Sequence, residues 1–188
     1  MIDERYTINW HQQMFAAMAE TLAGATEMVV ISFLMRYAKT RRNFPASRDV
    51  TRLERLELGA YIVETARTYG MTVYLCGGGA ELAAFGADTG GCMTPRIYER
   101  ALGRSIRFPK YQRQRKECDC YLGADIGAYD SCPHLCRYCY ANTHLTRVQK
   151  NRRRHDPASP FLIGHAEAGD RMHTARQESW LDVQESLF

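Results

Sequence analysis

The sequence predicts an α/β fold built on a parallel sheet, followed by an irregular cysteine-rich region. Three observations carry the prediction. Helix-period and strand-type segments alternate through the first 75 residues, the pattern dissolves after Gly77-Gly78-Gly79, and six of the seven cysteines follow that point.

Over 8–22, Trp10, Met14, Phe15, Met18 and Leu22 recur at three- and four-residue spacing, with Gly24 available to end the segment. That spacing predicts an amphipathic helix with one buried face. Met28-Val-Val-Ile-Ser-Phe-Leu is short, apolar and β-branched, as expected of a strand buried on both sides. A basic loop follows. Thr51-Arg-Leu-Glu54 has the form of a capping box. Leu53, Leu56, Ala60, Val63 and Ala66 then continue a helical face until Gly70, a left-handed cap. A second strand is expected over 71–75. In parallel sheets ligands sit at the carboxyl ends of strands, and Cys76 lies at such an end.

Beyond the glycines one short helix is legible, with Thr94 as cap, Pro95 in first position and Gly103 as terminator. The chain is therefore divided into α/β units over 1–103, a cysteine-rich iron-sulfur region over 104–164 and a polar tail over 165–188. Two strands alone make a poor parallel sheet, so the α/β part is expected to belong to a larger architecture.

Composition narrows the class. With 188 residues, 45% hydrophobic and 24% charged, the chain can bury one core, which excludes disorder, collagen and coiled coil. Its longest apolar run falls well short of the roughly 20 residues of a bilayer span. The start, Met-Ile-Asp-Glu-Arg, lacks the pattern of a secretory leader, so a cytoplasmic location is expected. Net charge is only +4, yet basic residues cluster at Arg36, Lys39, Arg41 and Arg42, at 100–116, and at Arg147, Lys150, Arg152, Arg153 and Arg154.

Seven cysteines in a reducing compartment suit metal ligation better than disulfides. Cys132-Pro-His-Leu-Cys136-Arg-Tyr-Cys139 places three thiols at spacings x3 and x2. Three thiolates can hold three irons of a [4Fe-4S] cube and leave the fourth iron open to S-adenosylmethionine. A zinc tetrahedron completed by His134, His144 or Cys120 uses the same ligands. The remaining Cys76, Cys92, Cys118 and Cys120 number enough for a second cluster or a structural zinc. Buried cysteine as a small hydrophobe is the competing account.

The spacing of the loop, with Tyr138 before the third cysteine, is similar to the signature of radical S-adenosylmethionine enzymes. The wording His134-Leu-Cys136-Arg-Tyr-Cys139-Tyr-Ala-Asn142 is close to the cluster loop of the branch around spore photoproduct lyase. Over about 10–164 the chain resembles the C-terminal part of a bacterial family of unknown function with a radical-SAM-like cysteine cluster. The matching stretches are Val30-Ile-Ser-Phe-Leu with Lys39-Thr-Arg-Arg-Asn43, Arg115-Lys-Glu-Cys118-Asp-Cys120, Asp125-Ile-Gly-Ala-Tyr129, the Cys132 loop, and His155-Asp-Pro-Ala-Ser-Pro-Phe-Leu-Ile-Gly164. The resemblance implies a partial (β/α) barrel-like sheet that further N-terminal α/β units complete in longer members. It also implies roles for Cys76 and Cys92.

The expectation is an iron-sulfur protein, a radical S-adenosylmethionine-type enzyme with a site-differentiated cluster on Cys132, Cys136 and Cys139. Tyr138 is placed near the cluster and the adenine, and Cys118, Cys120, Cys76 and Cys92 hold a second centre. The implied partners are a flavodoxin- or ferredoxin-type electron donor and a nucleic acid or nucleotide substrate, for which Tyr111, Tyr121 and Tyr138 offer stacking surfaces. Gln184-Glu-Ser-Leu-Phe188 resembles a peptide that docks on the sliding clamp. The alternative is a non-catalytic zinc- or cluster-stabilised module docking on nucleic acid or a protein partner.

Overall fold

A computed structural model describes residues 1–108, 120–121, 127–171, 173 and 179–182. The chain divides into two compact units. The first takes Met1–Met35, Arg48–Leu122 and Ser179–Phe188, and the second takes Arg36–Ser47 and Gly123–Glu178. Helix and strand are mixed, and the named strands form one small parallel sheet.

In the first unit, α1 (Ile8–Thr21) starts where the Thr7 side chain accepts a hydrogen bond from the Trp10 amide. β1 (Met28–Ile31) pairs in parallel with β2 (Thr72–Leu75), Met28 opposite Thr72 and Ile31 opposite Leu75. Between them runs α3 (Arg52–Thr68), whose N-terminus carries the full capping box. The Thr51 hydroxyl accepts from Glu54 N, and the Glu54 carboxylate accepts from Thr51 N. Gly70 closes the helix at φ 73°, the left-handed conformation that favours glycine.

The core lies between α3 and its three neighbours. Leu58, Gly59, Ile62, Val63 and Ala66 face Phe15 and Ala19 of α1, Val73 and Leu75 of β2, and Leu82 of a 3₁₀ turn over Ala80–Phe85. Gly59 is required here, because a Cβ at that position would stand 2.4 Å from Leu82 Cδ1. α4 (Pro95–Leu102) begins at Pro95 and ends on Gly103 at φ 62°. An antiparallel bridge joins Ile106 to Leu181, flanked by the Arg107 amide donating to the Trp180 carbonyl and the Asp182 amide donating to the Ser105 carbonyl.

Three sequence expectations need correction. α1 buries Phe15 and Ala19, whereas Trp10, Met14, Met18 and Leu22 are all more than one-third exposed. Its main packing partner among the described elements is α3, and a helix packed chiefly against one neighbour buries a narrow strip rather than a broad face. On α3 the buried stripe is rotated away from Leu53, which is 78% exposed. β1 is shorter than expected and only partly buried, because β2 is its sole strand partner among the described residues.

The second unit contains α2 (Ala38–Asn43), inside the segment read as a basic loop, and α5 (Leu145–Arg154), inside the region read as irregular. α5 offers Val148 as its buried residue, and Arg152, Arg153 and Arg154 complement the negative end of the helix. A tight turn follows. The Asp156 carboxylate accepts from Ala158 N, the Ser159 hydroxyl donates to the Gly164 carbonyl, and Gly164 N donates to the Arg154 carbonyl. Among the described residues no helix is long and apolar enough to cross a membrane.

Candidate metal centres

The two units divide the cysteines. The segments of the second unit contain only Cys132, Cys136 and Cys139, and the other four fall within the stretch 48–122. Cys118 lies outside the described residues, as do Tyr111, the basic positions between 110 and 116, and the five residues from Gln184 to Phe188.

In the first unit the sheet brings distant thiols together. Cys76 follows β2 directly, its amide bonded to the Ile31 carbonyl. Gly77, Gly78 and Gly79 then turn the chain back with three successive positive φ angles, 71°, 97° and 90°. The returning chain bridges β2 at Tyr74 and Asp88, with Asp88 N donating to the Val73 carbonyl and Leu75 N to the Asp88 carbonyl. Four residues later comes Cys92. The Tyr121 amide donates to the Met93 carbonyl at 2.6 Å, which sets Cys120 beside Cys92.

As a result Cys92 Sγ lies 3.2 Å from Cys120 Sγ, and Cys92 also engages Cys76. Burial, together with hydrogen bonds to Cys120 and Cys76, pushes the Cys92 thiol up to about 12. Cys120 is buried, and Cys76 and Cys92 are half-buried. Next in the chain after Cys120, Tyr121 meets Phe108 edge-on at 4.8 Å and Trp180 at 6.0 Å.

In the second unit the three thiols sit on one loop whose base is pinned. Asp130, at φ 58°, bonds through its amide to the Ala141 carbonyl. Its carboxylate accepts from the Thr143 amide, the Thr143 hydroxyl and the His144 amide. These bonds, the Thr143 hydroxyl foremost, hold the Asp130 carboxyl below its ordinary value. Asn142 Nδ2 donates to the Cys132 carbonyl at 2.7 Å, and Asn151 Nδ2 donates to the Asp130 carbonyl. Asn142 Oδ1 is buried with no hydrogen-bond partner among the described residues.

Between these fasteners Cys132 and Cys136 are exposed and Cys139 is half-buried, its amide closing a turn on the Cys136 carbonyl. Leu135, between the first two cysteines, stands at φ 52°, a conformation that costs a branched side chain about 1–2 kcal/mol. α2 braces the loop. The Thr40 hydroxyl, fully buried, donates to the Tyr138 carbonyl, Lys39 Nζ donates to the Tyr140 carbonyl, and Arg137 lies over the Phe44 ring. Tyr138 itself is half-exposed. Asp130, Asn142 and Thr40 were not singled out by sequence reasoning. Asp130 and Asn142, flanking the cysteine run, are residue types that bond backbone groups in turns.

Both thiol sets fit a thiophilic metal by donor chemistry. Sulfur ligands without carboxylates select zinc or iron-sulfur clusters over the hard cations. Among the described residues, no group of three or more His, Cys, Asp or Glu side chains is placed so that it could hold a metal ion. Thiols approach one another in the first unit, and in the second Cys132 and Cys136 lie exposed on the loop. His134 and His144, expected as zinc ligands in the alternative reading, are both exposed.

No curated protein and no solved structure matches the chain. Residues 1–141, the stretch that contains all seven cysteines, match the family described as Domain of unknown function (DUF1848), and the chain belongs to that family.

Proposed function

We propose that this protein is an iron-sulfur enzyme of radical S-adenosylmethionine type, with its site-differentiated [4Fe-4S] cluster on Cys132, Cys136 and Cys139. The observation that carries the reading is the pinned loop, which holds three thiols, two of them exposed, in a unit with no fourth cysteine. Three ligands leave one iron of a cube without a protein donor. A cluster bound there supplies one-electron chemistry to S-adenosylmethionine. The chain's own residues hold the loop: Asp130 and Asn142 fix its ends, and Thr40 and Lys39 hold the backbone of its last turn.

The same unit favours a nucleotide or nucleic acid as substrate. Tyr37, Tyr129, Tyr138 and Tyr140 are all more than one-third exposed, and Tyr37 and Tyr140 approach to 5.4 Å. Lys39, Arg41, Arg42 and Arg137 stand on the same two segments, so stacking faces and phosphate-binding cations are interleaved. The partial barrel-like architecture belongs to this reading too, with β1, α3 and β2 as its repeating unit. So do a flavodoxin- or ferredoxin-type electron donor and a second thiolate centre on Cys76, Cys92, Cys118 and Cys120.

Metal analysis with anaerobic absorption and electron paramagnetic resonance tests this on the full chain. Cys132→Ala, Cys136→Ala and Cys139→Ala together are expected to remove about four irons and the signal that responds to S-adenosylmethionine. Cys92→Ala with Cys120→Ala is expected to remove the other centre and leave that response in place. Zinc without iron in reconstituted protein would overturn the proposal.

A further inference from the structure

A cavity of about 260 Å³ opens in the second unit, lined by Ser131, Asn151, Arg152, His155, Leu162 and Ile163. α5 supplies one wall through its last turn, and the turn after it supplies the other. His155 Nδ1 meets the Leu162 carbonyl at 3.1 Å and ties the walls together. Among the described lining residues there is no thiol, and Ser131 stands next to Cys132 in the chain.

Its polar groups are largely committed to the fold, with one exception. The Ser131 hydroxyl donates to the Ala128 carbonyl, and Asn151 Nδ2 donates to the Asp130 carbonyl. A carbonyl only accepts, so His155 Nδ1 carries its proton toward Leu162, and Nε2 is left for a ligand. Arg152 is different. Its neighbour Arg154 is paired with Glu167 at 2.8 Å, but among the described residues Arg152 has no carboxylate partner and the cavity has no acidic lining.

A planar five-donor guanidinium without a counter-ion matches an oxyanion, carboxylate or phosphate. Leu162 and Ile163 give the cavity an apolar side, and its volume is just under the usual range for small-molecule pockets. We propose that this cavity binds a small metabolite with one oxyanion group, held by Arg152, and a compact apolar body against Leu162 and Ile163.

The test titrates the full chain with phenyl phosphate, benzoate and inorganic phosphate, read by calorimetry and ligand-observed saturation-transfer NMR. Saturable one-site binding of phenyl phosphate or benzoate, tighter than inorganic phosphate, is expected, and whichever of the two binds tighter names the oxyanion. Arg152→Gln weakens it by roughly tenfold or more, the loss expected of a charge-assisted hydrogen bond, and Arg153→Gln leaves it unchanged. Absence of saturable binding, or equal losses in the two variants, overturns the proposal. A second readout needs no variant: bound ligand shields Arg152 but not Arg153 of the wild-type chain from phenylglyoxal, located by peptide mass. Uniform or absent shielding overturns the site.

Discussion

Cys92 and Cys120 hold their Sγ atoms 3.2 Å apart, well beyond the roughly 2.05 Å of a disulfide and within reach of a shared proton. The pair lies in the part-buried interior of the first unit, whereas Cys132 and Cys136 stand exposed on the second. Thiolate is the reactive form, and the Cys92 thiol is pushed up to about 12, so almost none is ionised near neutral pH. In metal-free protein treated with iodoacetamide, Cys132 and Cys136 are therefore expected to be alkylated well before Cys92. Peptide mass mapping over time checks the order, and early labelling of Cys92 would contradict the placement.

Gly59 is the tightest approach in the core. A methyl at that position collides with both Leu82 Cδ atoms, at 2.4 and 2.5 Å. Gly59→Ala gains helix propensity at a mid-helix position but overpacks a side chain that is fully buried. A net destabilisation of about 1–3 kcal/mol is expected, measured by urea unfolding. The loss should shrink when Leu82→Ala is combined with it, because the colliding atoms are then gone.

Asp130 anchors the cysteine loop through three donors. Its carboxyl is held below its ordinary value, so the folded state favours the ionised form. Such a group contributes stability above the ordinary carboxylate range, near about 3.9, and that contribution is lost as pH falls through the lowered value. Asp130→Asn is expected to loosen the loop at neutral pH. The difference between the two proteins should vanish in acid, as amide hydrogen exchange at Thr143 and His144 would show.

Thr51 and Glu54 cap α3 reciprocally. Thr51→Ala removes the acceptor for Glu54 N and should cost about 0.5–2 kcal/mol, read as a lower thermal midpoint. Thr51→Ser should restore most of it, because the hydroxyl is what the cap uses.

How much of the fold and the site is legible in the sequence depends on range. Local signals read well: the capping box at Thr51, the left-handed Gly70, Pro95 and Gly103 around α4, and two parallel strands all rest on neighbouring residues. The faces of α1 and α3 read less well, since spacing nominates apolar positions without saying which neighbour will cover them. α5 is hidden because Leu145 and Val148 are too few to set a period in a run of arginines. The approach of Cys76, Cys92 and Cys120 is long-range. It depends on a triple glycine turn, a bridge at Asp88 and an amide bond from Tyr121, none of which leaves a spacing signature.

The pairing of Ile106 with Leu181 closes a circuit of 75 residues through an intervening unit. On the ribosome this contact waits until residue 181 has left the exit tunnel, long after residue 106. By then every cysteine of the chain has already met the solvent, its oxidants and any metal carrier. The order of synthesis thus exposes every thiol before the first unit can close on itself at Leu181.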